Sequence, residues 1–255
     1  MSALFADLDA AAAALQSERL VMVAKTIPGA GSLSTDYVKS KLVAAEADAE
    51  RRLRVFFEPV TVFAYEPSAG EITALGDDRW AEESAYDYEA GLFNVEDWGY
   101  LVLRKTPVIA IESCVLAYPA PVGGIFNMPL EWMRLDKKAG HVRFVPTGSA
   151  ISAGPLSAFL LSTMAGGRNI PQMLRIRYRA GLQDAATKWP DLVDLVKKMA
   201  VLRIVQDFFL PQSGSISADG LSRSLSIDMQ SYHDGVDAAI ETLLQVLHGP
   251  RMMVL

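Results

Sequence analysis

The sequence predicts an α+β protein in which helices from both ends of the chain form a helical bundle, with an antiparallel β-rich subdomain inserted between them. Three observations predict it. Both ends carry long stretches with apolar residues at helical spacing. From Val60 to Arg179 the pattern changes to short apolar runs separated by turn residues. Pro59, which cannot sit inside a helix, marks the first change of character. The expected boundaries are 1–58 for the N-terminal helices, 59–180 for the β-rich insertion and 181–255 for the C-terminal helices and tail, the first and last forming one helical domain.

Residues 2–17 are alanine-rich and carry Leu4, Leu8, Ala12 and Leu15 at helical spacing. After a break at Ile27-Pro28-Gly29-Ala30-Gly31-Ser32, a second helix opens at Ser34 or Thr35 and is expected to run to Pro59. Its apolar stripe is Val38, Leu42, Ala45, Ala49, Leu53 and Phe56, and its charges lie on the other faces. Strands are expected at Val60–Tyr65, Gly99–Arg104, Val108–Leu116, Trp132–Leu135, Val142–Val145 and Met173–Arg179. The last alternates apolar residues with arginine and suits a sheet with one wet face. Asp136-Lys137-Lys138-Ala139-Gly140 reads as a hairpin loop whose glycine supplies a positive φ. Residues 148–167 surround the apolar patch Phe159-Leu160-Leu161, which is either a short helix or a loop reaching for a partner.

The most informative stretch is Pro190–Leu210. Its first half turns Leu192, Leu195, Val196 and Met199 away from Asp191, Asp194, Lys197 and Lys198; its second half reverses the faces, with Val201, Val205, Phe208 and Phe209 apolar and Arg203, Gln206 and Asp207 polar. Such a helix needs two covers. They are either two parts of its own fold, or its own fold and a neighbouring subunit, unless the helix kinks. A final helix bears the stripe Tyr232, Val236, Ala239, Ile240, Leu243, Leu244 and Leu247 and ends at Gly249-Pro250; the tail Arg251-Met252-Met253-Val254-Leu255 is apolar, as a segment would be that either binds something or packs back on its own helix.

With 51% apolar residues among 255, the chain can bury a large core. Its net charge of −6, from 24 basic and 30 acidic residues, argues against tight binding to DNA or an anionic membrane. One cysteine, Cys114, forms no intrachain disulfide and reads as core, and the acidic start does not resemble a signal peptide. The chain therefore reads as cytoplasmic when made. The histidines His141, His233 and His248 lack partners at metal-ligand spacing; His141 reads as a surface residue and His248 as interacting with the negative end of its helix. No nucleophile elbow occurs, and Gly29-Ala30-Gly31 lacks the third glycine of a dinucleotide-binding turn. The acidic cluster Glu82, Glu83, Asp87 and Glu89, near Trp80 and Tyr86, reads as a solvated loop. Neither a catalytic residue nor a metal or cofactor site is expected.

Several segments together resemble the head-to-tail adaptor (connector, or head-completion) proteins of long-tailed bacteriophages. LSTDYVKSKLVAAEADAERRLRVFFEP resembles the family's early helix, and LVLRKTPVIAIESCVLAY its strand pair with Pro-Val leading into the second strand. LRIRYRAGL followed by WPDLVDLVKKMAVLRIVQDFF is similar to its last strand, turn and long helix, and ISADGLSRSLSID to the segment before its last helix. The resemblance covers most of residues 33–249; the Ala-rich N-terminal helix has no counterpart in it, and the β-rich middle is longer than in small members of the family.

The resemblance implies a structural virion protein with no enzymatic activity and no cofactor. Copies would form a dodecameric ring under the capsid portal, with a stopper or tail terminator below and the genome passing through without sequence-specific binding. In that family the C-terminal segment embeds in the portal, which makes Arg251, Met252, Met253, Val254 and Leu255 the expected portal contact. Leu195, Met199, Val205, Phe208 and Phe209 become the expected subunit interface, and Phe159, Leu160 and Leu161 a partner-contact loop. The alternatives are a tail-completion or stopper protein of the same neck, and a small cytoplasmic hydrolase using the acidic cluster.

Overall fold

The computed structural model describes residues 2–25, 33–89, 99–117, 124–145, 169–209 and 229–248. In chain order these form α1 (Leu8–Gln16), α2 (Arg19–Lys25), α3 (Thr35–Leu53), β1 (Val60–Phe63), α4 (Ala69–Leu75), β2 (Trp80–Glu82), β3 (Tyr86–Glu89), β4 (Gly99–Val102), β5 (Val108–Ala117), β6 (Gly124–Asn127), β7 (Met133–Asp136), β8 (His141–Phe144), β9 (Asn169–Ala180), α5 (Ala185–Lys188), α6 (Pro190–Phe209) and α7 (Met229–His248). The fold class is α+β. The chain divides into a helical unit, Met1–Phe57 with Asp184–Val246, and a β-rich unit, Glu58–Gln183 with Leu247–Leu255.

In the helical unit, α1 starts at Leu8 and not at residue 2, for two local reasons. Asp7 caps it, accepting the Ala10 N–H at 2.9 Å. The N–H groups of Ala3 and Leu4 are taken instead by Glu46 Oε1, at 2.7 and 3.2 Å. The apolar run 20–24, which carried no helix expectation, lies in α2, packed on α6. Ser34 caps α3 by accepting the Tyr37 N–H at 3.2 Å. That helix stops at Leu53, short of Pro59: Arg54 takes the left-handed conformation (φ 56°), and Glu50 Oε1 accepts the Phe57 N–H at 2.8 Å. The predicted stripe is buried from Val38 to Leu53, while Phe56 falls outside the helix.

The two faces of α6 are both covered by the chain itself. Leu192, Leu195, Val196 and Met199 are buried from the first half, and Val201, Leu202, Ile204 and Val205 from the second. Helices α2, α3 and α5 pack against it. Leu195, Met199 and Val205 therefore lie in their own subunit's core, at 1%, 3% and 1% exposure. In α7, Val236, Ile240, Leu243 and Leu247 are buried, as the stripe requires.

The β-rich unit is built on β9. One sheet runs β2-β1-β9-β5-β6, with β3 also pairing with β9, and a second runs β4-β8-β7. Among the described residues the pairings are antiparallel, as expected, except β1 with β2, which is parallel. On β9, Leu174, Ile176, Tyr178 and Ala180 are buried while Arg175, Arg177 and Arg179 stand on the wetter face, so the alternation expected there is present. Arg177 Nε lies 2.8 Å from Glu112 Oε2 as an ion pair. Strands β2, β3 and β6 and helix α4 were not expected from the sequence. Helix α4 opens with a capping box between Ser68 and Glu71 and buries none of its residues, so local hydrogen bonds, more than an apolar stripe, define it. Gly140 has φ 72° in the β7–β8 hairpin, as its turn requires. Among the described residues, no helix is long and apolar enough to cross a membrane.

Candidate functional site

Where α3, α6 and α7 converge in the helical unit, a cleft of about 350 Å³ is lined by charged residues of all three helices over an apolar floor that includes Met199, Leu202 and Val236. Helical spacing explains the lining. Lys41, Asp48 and Arg52 recur at three- and four-residue multiples along one flank of α3, and Arg203, Gln206 and Asp207 along one flank of α6. The second-half reversal of α6 thus turns its polar flank into the cleft.

The charges meet in pairs. Asp207 Oδ2 accepts the Tyr37 hydroxyl at 2.6 Å and also holds Lys41. Arg203 Nη2 lies 3.0 Å from Asp48 Oδ2, and Arg51 Nη2 lies 3.2 Å from Asp48 Oδ1. Arg52 pairs with Asp237 Oδ1, and His233 Nδ1 is 3.1 Å from Asp237 Oδ2. Burial works to raise Asp48 and Asp207, but hydrogen bonds from Arg203 and Arg51, and from Lys41 and Tyr37, hold both below the ordinary carboxyl value. Arg52 does the same to Asp237, chiefly by its hydrogen bond. Burial and the Asp207 bond push the Tyr37 hydroxyl well above its usual value. The ion pairs tie α3 to α6 through Asp48–Arg203 and Lys41–Asp207, and α3 to α7 through Arg52–Asp237.

A second polar cluster lies in the β-rich unit. Glu83 Oε1 accepts the hydroxyls of Tyr86 at 2.6 Å and Tyr178 at 3.0 Å. Those hydroxyls in turn accept the backbone N–H groups of Arg104 at 2.8 Å and Lys105 at 3.2 Å. The Arg104 guanidinium stacks 4.1 Å from the centre of the Tyr86 ring and donates to the Ser84 carbonyl. Glu83 is therefore a buried bracket between the β2–β3 and β4–β5 connections, not part of a solvated loop. Desolvation requires its carboxylate to be bonded once the strands close over it. Burial and the neighbouring charge push both tyrosine hydroxyls up, so they remain donors.

Cys114 is buried, and burial pushes its thiol up to about 12. His248, in the last turn of α7, is also buried, and its Nδ1 lies 2.9 Å from Thr106 Oγ1. His141 packs edge-on to Tyr100, ring centres 5.2 Å apart. Arg251–Leu255 and Phe159–Leu161 lie outside the described residues, as do the side chains of Phe208 and Phe209. The sequence did not point to Glu46 or to the Asp48–Arg203 and Asp207–Lys41 pairs, and it placed Glu83 in a solvated loop. Glu46 had a signal, since it continues the stripe of Leu42, Ala49 and Leu53 and so was placed to be buried. The others depend on partners far away in the chain.

No family model matches the sequence, and no curated protein matches it. Among solved structures, the chain is similar to one in the virion of a native gene transfer agent particle, with TM-score 0.40, 16% identity, and 94% of this chain and 93% of that chain covered. It is similar to the same extent to a chain in the neck of an empty gene transfer agent particle, with TM-score 0.40, 14% identity and the same coverage. A TM-score of 0.40 does not equate two folds.

Proposed function

We propose that this protein is a structural head-to-tail adaptor of a phage-like virion, without enzymatic activity, whose copies form a ring between the capsid portal and the tail. The observation that carries the reading is the placement of the resembling segments. Residues 33–59 contain α3, residues 101–118 contain the end of β4 and all of β5, and residues 174–209 run from β9 through the short helix α5 into α6. The early helix and the passage from last strand to long helix stand in the order that the resemblance implies, whereas β4 and β5 are consecutive strands of different sheets and not a hydrogen-bonded pair. The cleft braced by ion pairs between helices suits a protein whose task is to hold shape under load.

In this reading the genome crosses the lumen without sequence-specific contact, a stopper or tail terminator binds below, and Arg251–Leu255 reach the portal. Leu195, Met199 and Val205 serve the ring from inside the subunit by fixing α6. Direct contact with a neighbour from this helix is assigned to Phe208 and Phe209, and a partner contact to Phe159–Leu161. Electron microscopy of particles carrying a label on this chain tests the role. Label at the head–tail junction, and untailed filled heads when the protein is withheld, support it; label elsewhere, or normally tailed particles without the protein, overturn it. A chain ending at Pro250 is expected to fold and to lose capture by portal.

A further inference from the structure

The exposed face of the β4-β8-β7 sheet carries an arrangement that costs stability on its own. Arg134 on β7 and Arg143 on β8 are direct cross-strand neighbours, and Tyr100 on β4 completes the row. Both arginines are exposed, and like charges directly opposite on one face repel. Lys137 and Lys138, also exposed, follow in the hairpin. The one acid of that hairpin, Asp136, is occupied by the turn, its Oδ1 accepting the N–H groups of Lys138 at 3.0 Å and Ala139 at 3.2 Å. Arg134 donates to the Glu131 carbonyl at 2.9 Å, and among the described residues none of the four cations has an ion-pair partner.

The same unit holds the complementary charge elsewhere. Residues 58–89 contain nine Asp and Glu against the single Arg79. Glu58, Glu71, Glu83 and Asp87 are engaged internally, by Arg79, by Tyr65 and Ser68, by the two tyrosines and by the Gln172 N–H. Glu66, Asp77, Asp78 and Glu82 are exposed and, among the described residues, unpaired. Glu82 lies on β2, which ends the sheet order, and Asp77 and Asp78 stand in the turn that leads into it. A fold that carries an unbalanced basic row and an unbalanced acidic edge, and does not pair them with each other, offers two different patches that fit one another between copies.

We infer that the Tyr100–Arg143–Arg134 face of one copy docks on the Asp77–Asp78–Glu82 edge of the next. Such a contact joins two unlike patches, so it repeats head to tail and closes when the rotation per copy divides a full turn. The inference rests on the ring reading above and adds a charged contact to the apolar one assigned there to Phe208 and Phe209. A nucleic-acid backbone is the less suitable occupant. Four cations are fewer than the roughly six to ten phosphate contacts of a typical duplex binder, and the acidic edge on the same unit repels phosphate.

Two variants of the full chain test it: Arg134→Glu with Arg143→Glu, and Asp77→Lys with Asp78→Lys. Each presents like charges on both patches, so each alone is expected to self-associate at least about tenfold more weakly than wild type in sedimentation velocity at low salt. An equal mixture offers complementary charge at every contact between unlike variants, one with the native residues and the next with the signs exchanged, and is expected to associate as wild type does, with an affinity that falls as salt rises. All substituted residues are exposed, and circular dichroism checks that both variants fold. The inference is overturned if wild type stays monomeric at low salt, if either variant alone associates like wild type, or if the mixture does not recover. It is also overturned if the arginine variant loses binding to labelled duplex DNA while its self-association is unchanged. Particle labelling is judged separately: label at the neck with failed recovery sinks only this contact, whereas label elsewhere sinks the adaptor reading.

Discussion

The buried carboxylate of Glu46 accepts the backbone N–H of Ala3 at 2.7 Å, across 43 positions of sequence, and so fastens the start of the chain to the middle of α3. Ser2 Oγ adds a 2.6 Å bond to the other oxygen, and Leu4 shares the first. Removing the acceptor leaves backbone donors in a largely buried place.

Glu46→Ala is accordingly expected to destabilise the helical unit by about 1–3 kcal/mol. Glu46→Gln, which keeps a carbonyl oxygen, is expected to cost less. Urea unfolding followed by helical circular dichroism measures both. Amide exchange at Leu4 and Phe5 should quicken in the alanine variant before the rest of the unit loosens. Equal losses for Ala and Gln would show that the acceptor geometry is not what matters.

Leu195→Asp and Val205→Asp place an unpaired charge on opposite halves of α6, at sites that are both within the subunit core. Both are expected to lose more than about 3 kcal/mol and to yield little folded helical unit. A variant at either site that stays folded and monomeric but cannot join particles would show that its face is shared with a neighbour.

Asp48, Asp207 and Asp237 have carboxyl values lowered by folding. Their contribution to stability is fully present above the unfolded-state value of about 3.9 and is lost as pH falls through the lower folded values. Stability attributable to them should be level from pH 7 to about pH 5, then fall below about pH 4. Asp48→Asn should flatten part of that acid slope in urea midpoints measured against pH. An unchanged slope would mean that other carboxylates govern acid unfolding.

Gly140 has φ 72°, and a methyl group there would sit 2.5 Å from Thr106 Cγ2 and 3.1 Å from the Leu103 carbonyl. Gly140→Ala is expected to cost about 1–3 kcal/mol, from the left-handed backbone and the overlap together. Adding Thr106→Ser removes the methyl half of the conflict and should recover only part of the loss. Full recovery would put the cost in the threonine contact alone.

Periodicity made much of this fold legible. The stripes of α3 and α7 and the alternation on β9 each match the face that is buried, because one surface decides them. The strands β2, β3 and β6 were not legible: each has three or four residues and is ordered by pairing with strands far along the chain. For α6, sequence revealed that two faces must be covered but not by what, since residues of α2 and α3 compete with a neighbouring molecule for the same role. Glu83 was misread for a related reason. Its local context is acidic and open, and burial of that carboxylate becomes tolerable when Tyr178, 95 positions later, and Arg104 join Tyr86 around it.

The pairing of Val60 with Ala180 in β1 and β9 bears on how the chain is made. Helices α3 and α6 touch, yet the ribosome delivers them more than a hundred residues apart. Closing so long a loop between floppy ends is slow, and an early apolar α3 would wait exposed. Once β9 has zipped onto β1, however, the inserted unit starts and finishes at adjacent points. It then behaves as a short connector, presenting α6 to α3 as soon as it emerges. An order of synthesis in which the insertion folds first thus lets the nascent chain complete its helical unit from both ends without a long search.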